Sequence, residues 1–321
     1  MARFLITGIA GFIGSTLAHK LVEEGHEVSG IDNLSTGNLE NLEDIRSAIK
    51  FDEIDLRDAD GLRTACKGVE YVLHQGAVAS VPRSVKDPLG SHESNINGTL
   101  NLLLAARDAG VRRIVYAASS SAYGDQPTQP KHEEMLPSPL SPYAVQKLTC
   151  EYYIQSFFQS YGLEGVCLRY FNIFGPRQAA DSPYSGVIAQ FIYKMMDGVT
   201  PTIFGDGLTS RDFTFVDNAV NANLLACKAP SQVATGRVFN VGTGKSRTLN
   251  EVYDGIASAL GFQQPPEYGP ERVGDVKHSL ASIERARTEL GYEPKADFQQ
   301  GLEKTVAWYL SEQRKGQAVS A

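Results

Sequence analysis

Eight residues near the start of the chain, Thr7-Gly8-Ile9-Ala10-Gly11-Phe12-Ile13-Gly14, restrict its folding more than any other stretch. They follow a short apolar run, Arg3–Thr7, that reads as a buried strand. They open a helical pattern over Ser15–Glu24, where Leu17 and Leu21 sit one turn apart and Gly25 ends the run. Glycines three apart at a strand-to-helix turn let the backbone approach a pyrophosphate at the positive helix end. An ordinary tight turn carries such glycines too, so the distance to an acid decides. Asp32 closes the next strand, Glu27–Asp32, and lies 32 − 14 = 18 residues past the last glycine. That is near the ~20 at which a carboxylate holds a ribose diol. An acid there repels a 2′-phosphate, which favours NAD over NADP; the rival reading makes Asp32 a turn residue before Asn33.

The remaining chain continues the alternation. Strands are expected at Phe51–Asp55, Val69–His74, Arg113–Ala118 and Gly165–Tyr170, with helical patterns at Leu100–Ala109 and Tyr143–Tyr161. This rhythm predicts an α/β fold: a Rossmann-type doubly wound parallel sheet, covered on both faces, joined to a smaller mixed α/β domain. After Asn172 the rhythm breaks where Gly175, Pro176, Pro183, Gly186, Pro201, Gly205 and Gly207 crowd together. A late strand at Val238–Val241 returns to the sheet, and helices follow around Leu249–Leu260 and Leu302–Leu310. The expected division is discontinuous, with residues 1–171 and 210–242 in the dinucleotide domain and 172–209 and 243–321 in the second. The polar tail after Gln313 is expected to fray.

Charge narrows the partners. Among 321 residues, 30 Lys and Arg against 37 Asp and Glu give −7, which argues against a broad nucleic-acid-binding surface. Cys66, Cys150, Cys167 and Cys227 lie far apart without a CxxC pair or histidines at metal spacing, so no metal site is expected and the thiols read as reduced and buried. The glycine-broken N-terminus does not read as a signal peptide, and no apolar stretch reaches the ~18 residues of a membrane span. A cytoplasmic protein is the expectation.

Two further motifs carry chemistry. In Ser141-Pro142-Tyr143-Ala144-Val145-Gln146-Lys147, Ser141 suits an N-cap and Pro142 the first helical position. Tyr143 and Lys147, four apart, then share a face, and a cation beside a phenol is expected to lower its pKa toward useful basicity. In Ala118-Ser119-Ser120-Ser121-Ala122-Tyr123-Gly124, hydroxyls follow a strand directly, where open α/β sheets bind ligands.

Together these residues carry a resemblance over nearly the whole chain. The glycine turn, Ser119 placed 143 − 119 = 24 residues before Tyr143, Lys147, and Leu168-Arg169-Tyr170-Phe171-Asn172 resemble extended short-chain dehydrogenase/reductases. Within that family, Gly124-Asp125-Gln126-Pro127, Ser80-Val81-Pro82-Arg83-Ser84 and Gly274-Asp275-Val276-Lys277-His278-Ser279-Leu280 are similar to bacterial nucleotide-sugar 4-epimerases, most of all those acting on UDP-N-acetylglucosamine.

The resemblance implies a catalytic set of Tyr143, Lys147 and Ser119: the phenolate takes the sugar 4-hydroxyl proton while NAD accepts the C4 hydride, and the hydride returns to the opposite face of a 4-keto sugar. It implies NAD contacts from Gly8, Gly11, Phe12, Ile13 and Asp32, with Asn33 and Gly37 near the ribose and Asp55 and Leu56 beside adenine. Gln75, Gly76 and Ala77 are implied to line the cofactor, with Tyr170 and Phe171 at the nicotinamide. For the sugar nucleotide it implies Ser80, Ser120, Ser121, Asn172, Gln178, Gly186 and Val187. Thr202 and Phe204 fall on the uracil strand, Arg211 and Arg272 at the diphosphate, and Asp275 at a ribose. Ser279 occupies a gate position, where a small residue admits a 2-acetamido group; it is also expected to cap a helix over Leu280–Leu290.

Ser120 and Ser121 stand where the family's dehydratases carry Asp-Glu and its UDP-glucuronate decarboxylases carry glutamate. The implied reaction is therefore 4-epimerisation of a UDP-hexose, either the N-acetylated pair or the glucose/galactose pair. UDP-glucuronate 4-epimerisation and, more remotely, a non-catalytic NAD sensor remain as alternatives. The resemblance also implies a homodimer packed through the helices at Asn97–Ala109 and Tyr143–Tyr161.

Overall fold

Seven apolar runs become the strands of one parallel sheet: β1 (Arg3–Thr7), β2 (Glu27–Asp32), β3 (Ile49–Glu53), β4 (Tyr71–His74), β5 (Arg113–Ser119), β6 (Glu164–Tyr170) and, after an intervening segment, β11 (Arg237–Val241). A computed structural model describes residues 1–179, 186–271 and 276–319. The strand order is β11-β6-β5-β4-β1-β2-β3, with every neighbouring pair parallel. Alternate side chains along each strand serve opposite faces. Ile6, Leu73, Val115 and Val166 pack beneath the Phe12–Glu23 and Val216–Lys228 helices. Leu5, Val72, Ile114 and Cys167 pack beneath the Gly98–Asp108 and Pro142–Tyr161 helices. The chain leaves β1 towards β2 on one side and reaches β4 on the other, so a crevice opens beyond their C-terminal ends.

Between β6 and β11 lie β7 (Ile173–Phe174), β8 (Thr202–Phe204), β9 (Ser210–Arg211) and β10 (Thr214–Phe215); after β11 come β12 (Arg247–Thr248), β13 (Glu267–Gly269) and β14 (His278–Ser279). They pair into three small sheets, β10-β7, β12-β9-β14 and β13-β8. A separate apolar cluster, including Phe174, Phe213, Phe215, Ile192, Val252 and Leu302, holds this part together. Buried Arg113 ties the main sheet to its cover: its Nη1 donates to the carbonyls of Ala226, Cys227 and Ala229, the orphan acceptors at the end of the Val216–Lys228 helix.

The structure differs from the sequence reading at a few edges. β3 starts at Ile49, which pairs with Val28, and stops at Glu53, so Asp55 lies beyond it. The C-terminal helix runs Phe298–Val319, and the expected frayed tail is helical to that point. Ser279 does not cap a helix. It belongs to β14, in parallel register with Arg211, and the next helix begins at Glu284 without a side-chain cap. The four cysteines are free and buried. Among the described residues, no helix is long and apolar enough to cross a membrane.

Candidate active site

The crevice is a cavity of about 1050 Å³ at the C-terminal ends of the sheet strands. At one end the glycine turn reads as the sequence suggests. Gly8 has φ 70°, and a Cβ there would lie 2.8 Å from the Gly76 backbone; one on Gly14 would lie 2.1 Å from the Gly8 carbonyl. The bare backbone leaves a cradle open at the N-terminus of the Phe12–Glu23 helix, where N–H groups face outward. Gly8, Gly11, Phe12 and Ile13 all line it.

Across the cradle, the Asp32 carboxylate accepts from Ala10 N at 3.0 Å and from Leu34 N at 2.9 Å. Asp32 therefore does hold a turn, and it also lines the cavity with lone pairs left for a diol. Burial pushes its pKa up, and the backbone donors pull it back. Gly37 is pressed against it: a Cβ there would lie 2.9 Å from the carboxylate. Asn33 donates to Asp55 at 2.7 Å, and Arg57 pairs Asp55 in two places, which holds that carboxyl well below the usual range. Leu56 and Ala77 line the same end. These features suit an adenosine diphosphate with a free 2′-hydroxyl. Replacing Asp32 by Ala is expected to weaken NAD binding by about tenfold or more and to raise the relative affinity for NADP. Titration of both nucleotides checks this, and unchanged affinities would leave Asp32 only its turn role.

A buried relay, not anticipated from the sequence, fixes the second wall. Gly76 N donates to Thr7 Oγ1 (3.0 Å), Thr7 Oγ1 meets His74 Nδ1 (2.7 Å), and His74 Nε2 meets Thr99 Oγ1 (2.9 Å), which donates to the Asn95 carbonyl. Thr99 spends its one proton on the Asn95 carbonyl, so Nε2 of His74 carries the proton between them, and in the neutral ring Nδ1 accepts from Thr7. Burial, which pushes its pKa down to about 3, enforces that state. Nearby, Asn223 holds the Tyr170 hydroxyl at 2.7 Å, and Tyr170 reaches Gln75 at 3.3 Å.

The reactive groups meet at the centre. Ser141 caps the Pro142–Tyr161 helix by accepting from Ala144 N, and Pro142 takes its first position. Tyr143 N donates to Ser84 Oγ (3.0 Å), so a residue 59 positions earlier satisfies an orphan donor and fixes the tyrosine's place. Ser119 ends β5, and its oxygen accepts from Ser121 N (3.2 Å) and Ser121 Oγ (2.9 Å). With its lone pairs used, the Ser119 proton is directed away from Ser121, towards Tyr143. Lys147 Nζ donates to the Ala117 carbonyl (2.7 Å) and stands 5.9 Å from the Tyr143 ring centre.

One expectation fails here. Burial pushes the Tyr143 pKa up, the Ser119 hydrogen bond only partly offsets this, and Lys147 does not lower it. The ammonium is engaged by a carbonyl, and its own pKa falls to about 8 through burial. The protein alone thus keeps the phenol protonated.

A second cavity of about 250 Å³ shares Asn172, Gln178 and Arg211 with the first, so the two are continuous. Gly186, Val187, Thr202 and Phe204 line it, whereas Ser120, Ser121 and Ser279 line the larger one. Two residues assigned to the site have structural roles in the fold. The Ser80 hydroxyl caps its own helix by accepting from Arg83 N, and the residue is not on the cavity wall. The Phe171 side chain is fully buried against Tyr123 in the core. Arg272 and Asp275 lie outside the described residues.

Comparison with known proteins agrees with this geometry. The pattern of the NAD dependent epimerase/dehydratase family matches residues 4–242. A UDP-glucose 4-epimerase from Mycolicibacterium smegmatis is 40% identical over 312 residues, covering 96% of this chain and 98% of that protein. The structure of a UDP-N-acetylglucosamine 4-epimerase from Methanobrevibacter ruminantium in complex with UDP-N-acetylmuramic acid superposes with a TM-score of 0.92 at 40% identity, over 97% of this chain and 99% of that one. A Thermus thermophilus UDP-glucose 4-epimerase in complex with NAD gives 0.87 at 38% identity, over 96% and 99%.

Proposed function

We propose that this chain, which belongs to the NAD dependent epimerase/dehydratase family and uses NAD, is a UDP-hexose 4-epimerase that accepts N-acetylated hexoses. The observation that carries the reading is the serine cluster around Tyr143. Ser119, Ser120 and Ser121 line the cavity beside the phenol, and no carboxylate stands at Ser120 or Ser121 to expel or decarboxylate a substituent. With no exit, an oxidised sugar can only be reduced again.

Each side chain has a task. Tyr143 moves the proton of the sugar 4-hydroxyl, and Ser119 hydrogen-bonds the same oxygen. Lys147, its ammonium anchored on the Ala117 carbonyl, would hold the ribose at the catalytic end of the cofactor. NAD, when bound, would supply the hydride acceptor. Arg211 stands where the two cavities join and binds the diphosphate; guanidinium suits two phosphate oxygens at once. The smaller cavity receives uracil between Val187 and the Thr202–Phe204 strand.

The relatives act on different sugars, and Ser279 supports the choice between them: it is small, lies on the wall, and leaves room for an acetamide. Incubation with UDP-GlcNAc and with UDP-Glc, without added cofactor, followed by separation of the C4 epimers, tests the reading. Formation of UDP-GalNAc and UDP-Gal is the expected result. No epimer from either sugar, or loss of substrate to a dehydrated or decarboxylated product, overturns it.

We read the assembly as a homodimer. The Pro142–Tyr161 helix leaves Val145 and Tyr152 exposed, and the short helices beside it leave Val85 and Leu89 exposed, apolar surface that a second copy would cover. A monomer by light scattering excludes this.

A further inference from the structure

Asp212 is a fully buried carboxylate one residue past Arg211, to which three separate stretches of chain converge. Its Oδ1 accepts from Thr243 N (2.8 Å) and Thr243 Oγ1 (2.7 Å), and its Oδ2 accepts from Gly244 N (2.9 Å) and Ala281 N (3.3 Å). Its backbone N–H donates to the Ser279 carbonyl (2.7 Å), and its carbonyl accepts from Asn172 Nδ2 (3.3 Å). Gly242 is bare where a Cβ would lie 2.8 Å from the carboxylate. Arg211 and Ser279, one on each side of this knot, are register partners in the small sheet and both line the larger cavity.

We propose that Asp212 is a positioning residue for the nucleotide-sugar half of the site: it locks the loop after β11 and the end of β14 together, and so fixes Arg211 and Ser279 in the places from which they meet the substrate. This rests on the reading that a nucleoside diphosphate occupies the smaller cavity and its mouth. Four close donors, with Thr214 Oγ1 a more distant fifth at 3.5 Å from Oδ1, point at two oxygens, and only a carboxylate without its proton can accept on both sides in full. An amide of the same shape turns its NH₂ onto two of those donors, whichever way it is rotated, and the knot must open on one side. Burial raises the Asp212 pKa, and the four donors oppose it. None of these contacts touches the glycine turn, Asp32 or the Thr7–His74 relay, so the NAD half is left intact.

The experiment is titration of the full-length, NAD-loaded enzyme with UDP, with steady-state kinetics on the UDP-sugar, for wild type, Asp212→Asn and Thr243→Val. Asp212→Asn is expected to weaken UDP by about 10- to 100-fold and to raise KM in parallel, with kcat changed far less and NAD retained. Thr243→Val, which removes a single donor, is expected to move UDP affinity in the same direction by a smaller factor. A lower melting temperature with unchanged UDP affinity and KM overturns the proposal, because a merely structural anchor behaves so. If Asp212→Asn does not fold, unchanged UDP affinity in Thr243→Val overturns it instead. A wild type that binds no UDP removes the nucleotide-sugar reading itself, and this inference with it.

Discussion

Replacing Tyr143 by Phe is expected to cut epimerisation by ~10²–10⁴, the scale of lost acid–base assistance. The phenol is the one acidic hydroxyl that the geometry sets beside Ser119, and the Ser119 proton is already directed towards it by the two hydrogen bonds from Ser121. The variant should fold normally. The helix start is held by Ser141 and by the bond from Tyr143 N to Ser84, neither of which involves the phenol. NAD should stay bound, since its candidate contacts are the glycine turn, Asp32 and Lys147. The measurement is single-turnover conversion of UDP-sugar by the purified variant, alongside its NAD content. Near-normal conversion would sink the catalytic assignment.

The high pKa of Tyr143 gives that prediction a second edge. Burial keeps the phenol neutral in the protein by itself, and the Lys147 ammonium, hydrogen-bonded to the Ala117 carbonyl 2.7 Å away, does not offset it. The activation expected from the Tyr-x-x-x-Lys spacing alone is therefore incomplete. Spacing states which groups share a helix face, but whether the phenol ionises depends also on the burial that the fold imposes on it.

The same distinction separates what the sequence discloses from what it hides. The glycine turn is legible because its requirements are local: bare backbone at Gly8, Gly11 and Gly14, a strand before and a helix after. The helix over Pro142–Tyr161 is legible for the same reason, through its cap and its first-turn proline. The Thr7–His74–Thr99 relay is not, because its members lie on β1, β4 and the Gly98–Asp108 helix and meet only when the sheet forms. Asp212 is hidden likewise: nothing near it in sequence announces the donors at Thr243, Gly244 and Ala281. Ser80 and Phe171 are positions that motif alignment marks and whose side chains the fold also employs, one as a cap and one in the core. Ser279 combines both. A two-residue strand has no period to read, so a helix cap was the natural local expectation, while its pairing with Arg211 is a tertiary fact.

That pairing gives the largest expected change in specificity. Ser279 lies half-buried on the cavity wall, its carbonyl held by Asp212 N at 2.7 Å. Replacing Ser279 by Tyr keeps the backbone pairing and adds a ring where an acetamide would sit. Overpacking of that kind is not relieved by small shifts here, because β14 is pinned by β9 along one side and by Asp212 at its end. UDP-GlcNAc turnover is expected to fall by about 100-fold or more. UDP-Glc, which carries only a hydroxyl at that carbon, should keep most of its activity, since a larger pocket tolerates a smaller sugar with water in the gap. Competition assays with the two sugars, on wild type and variant, read the ratio directly. A wild type confined to the plain sugar, or a variant that still turns over UDP-GlcNAc, removes the gate role from Ser279 and leaves it only the part it plays in the small sheet.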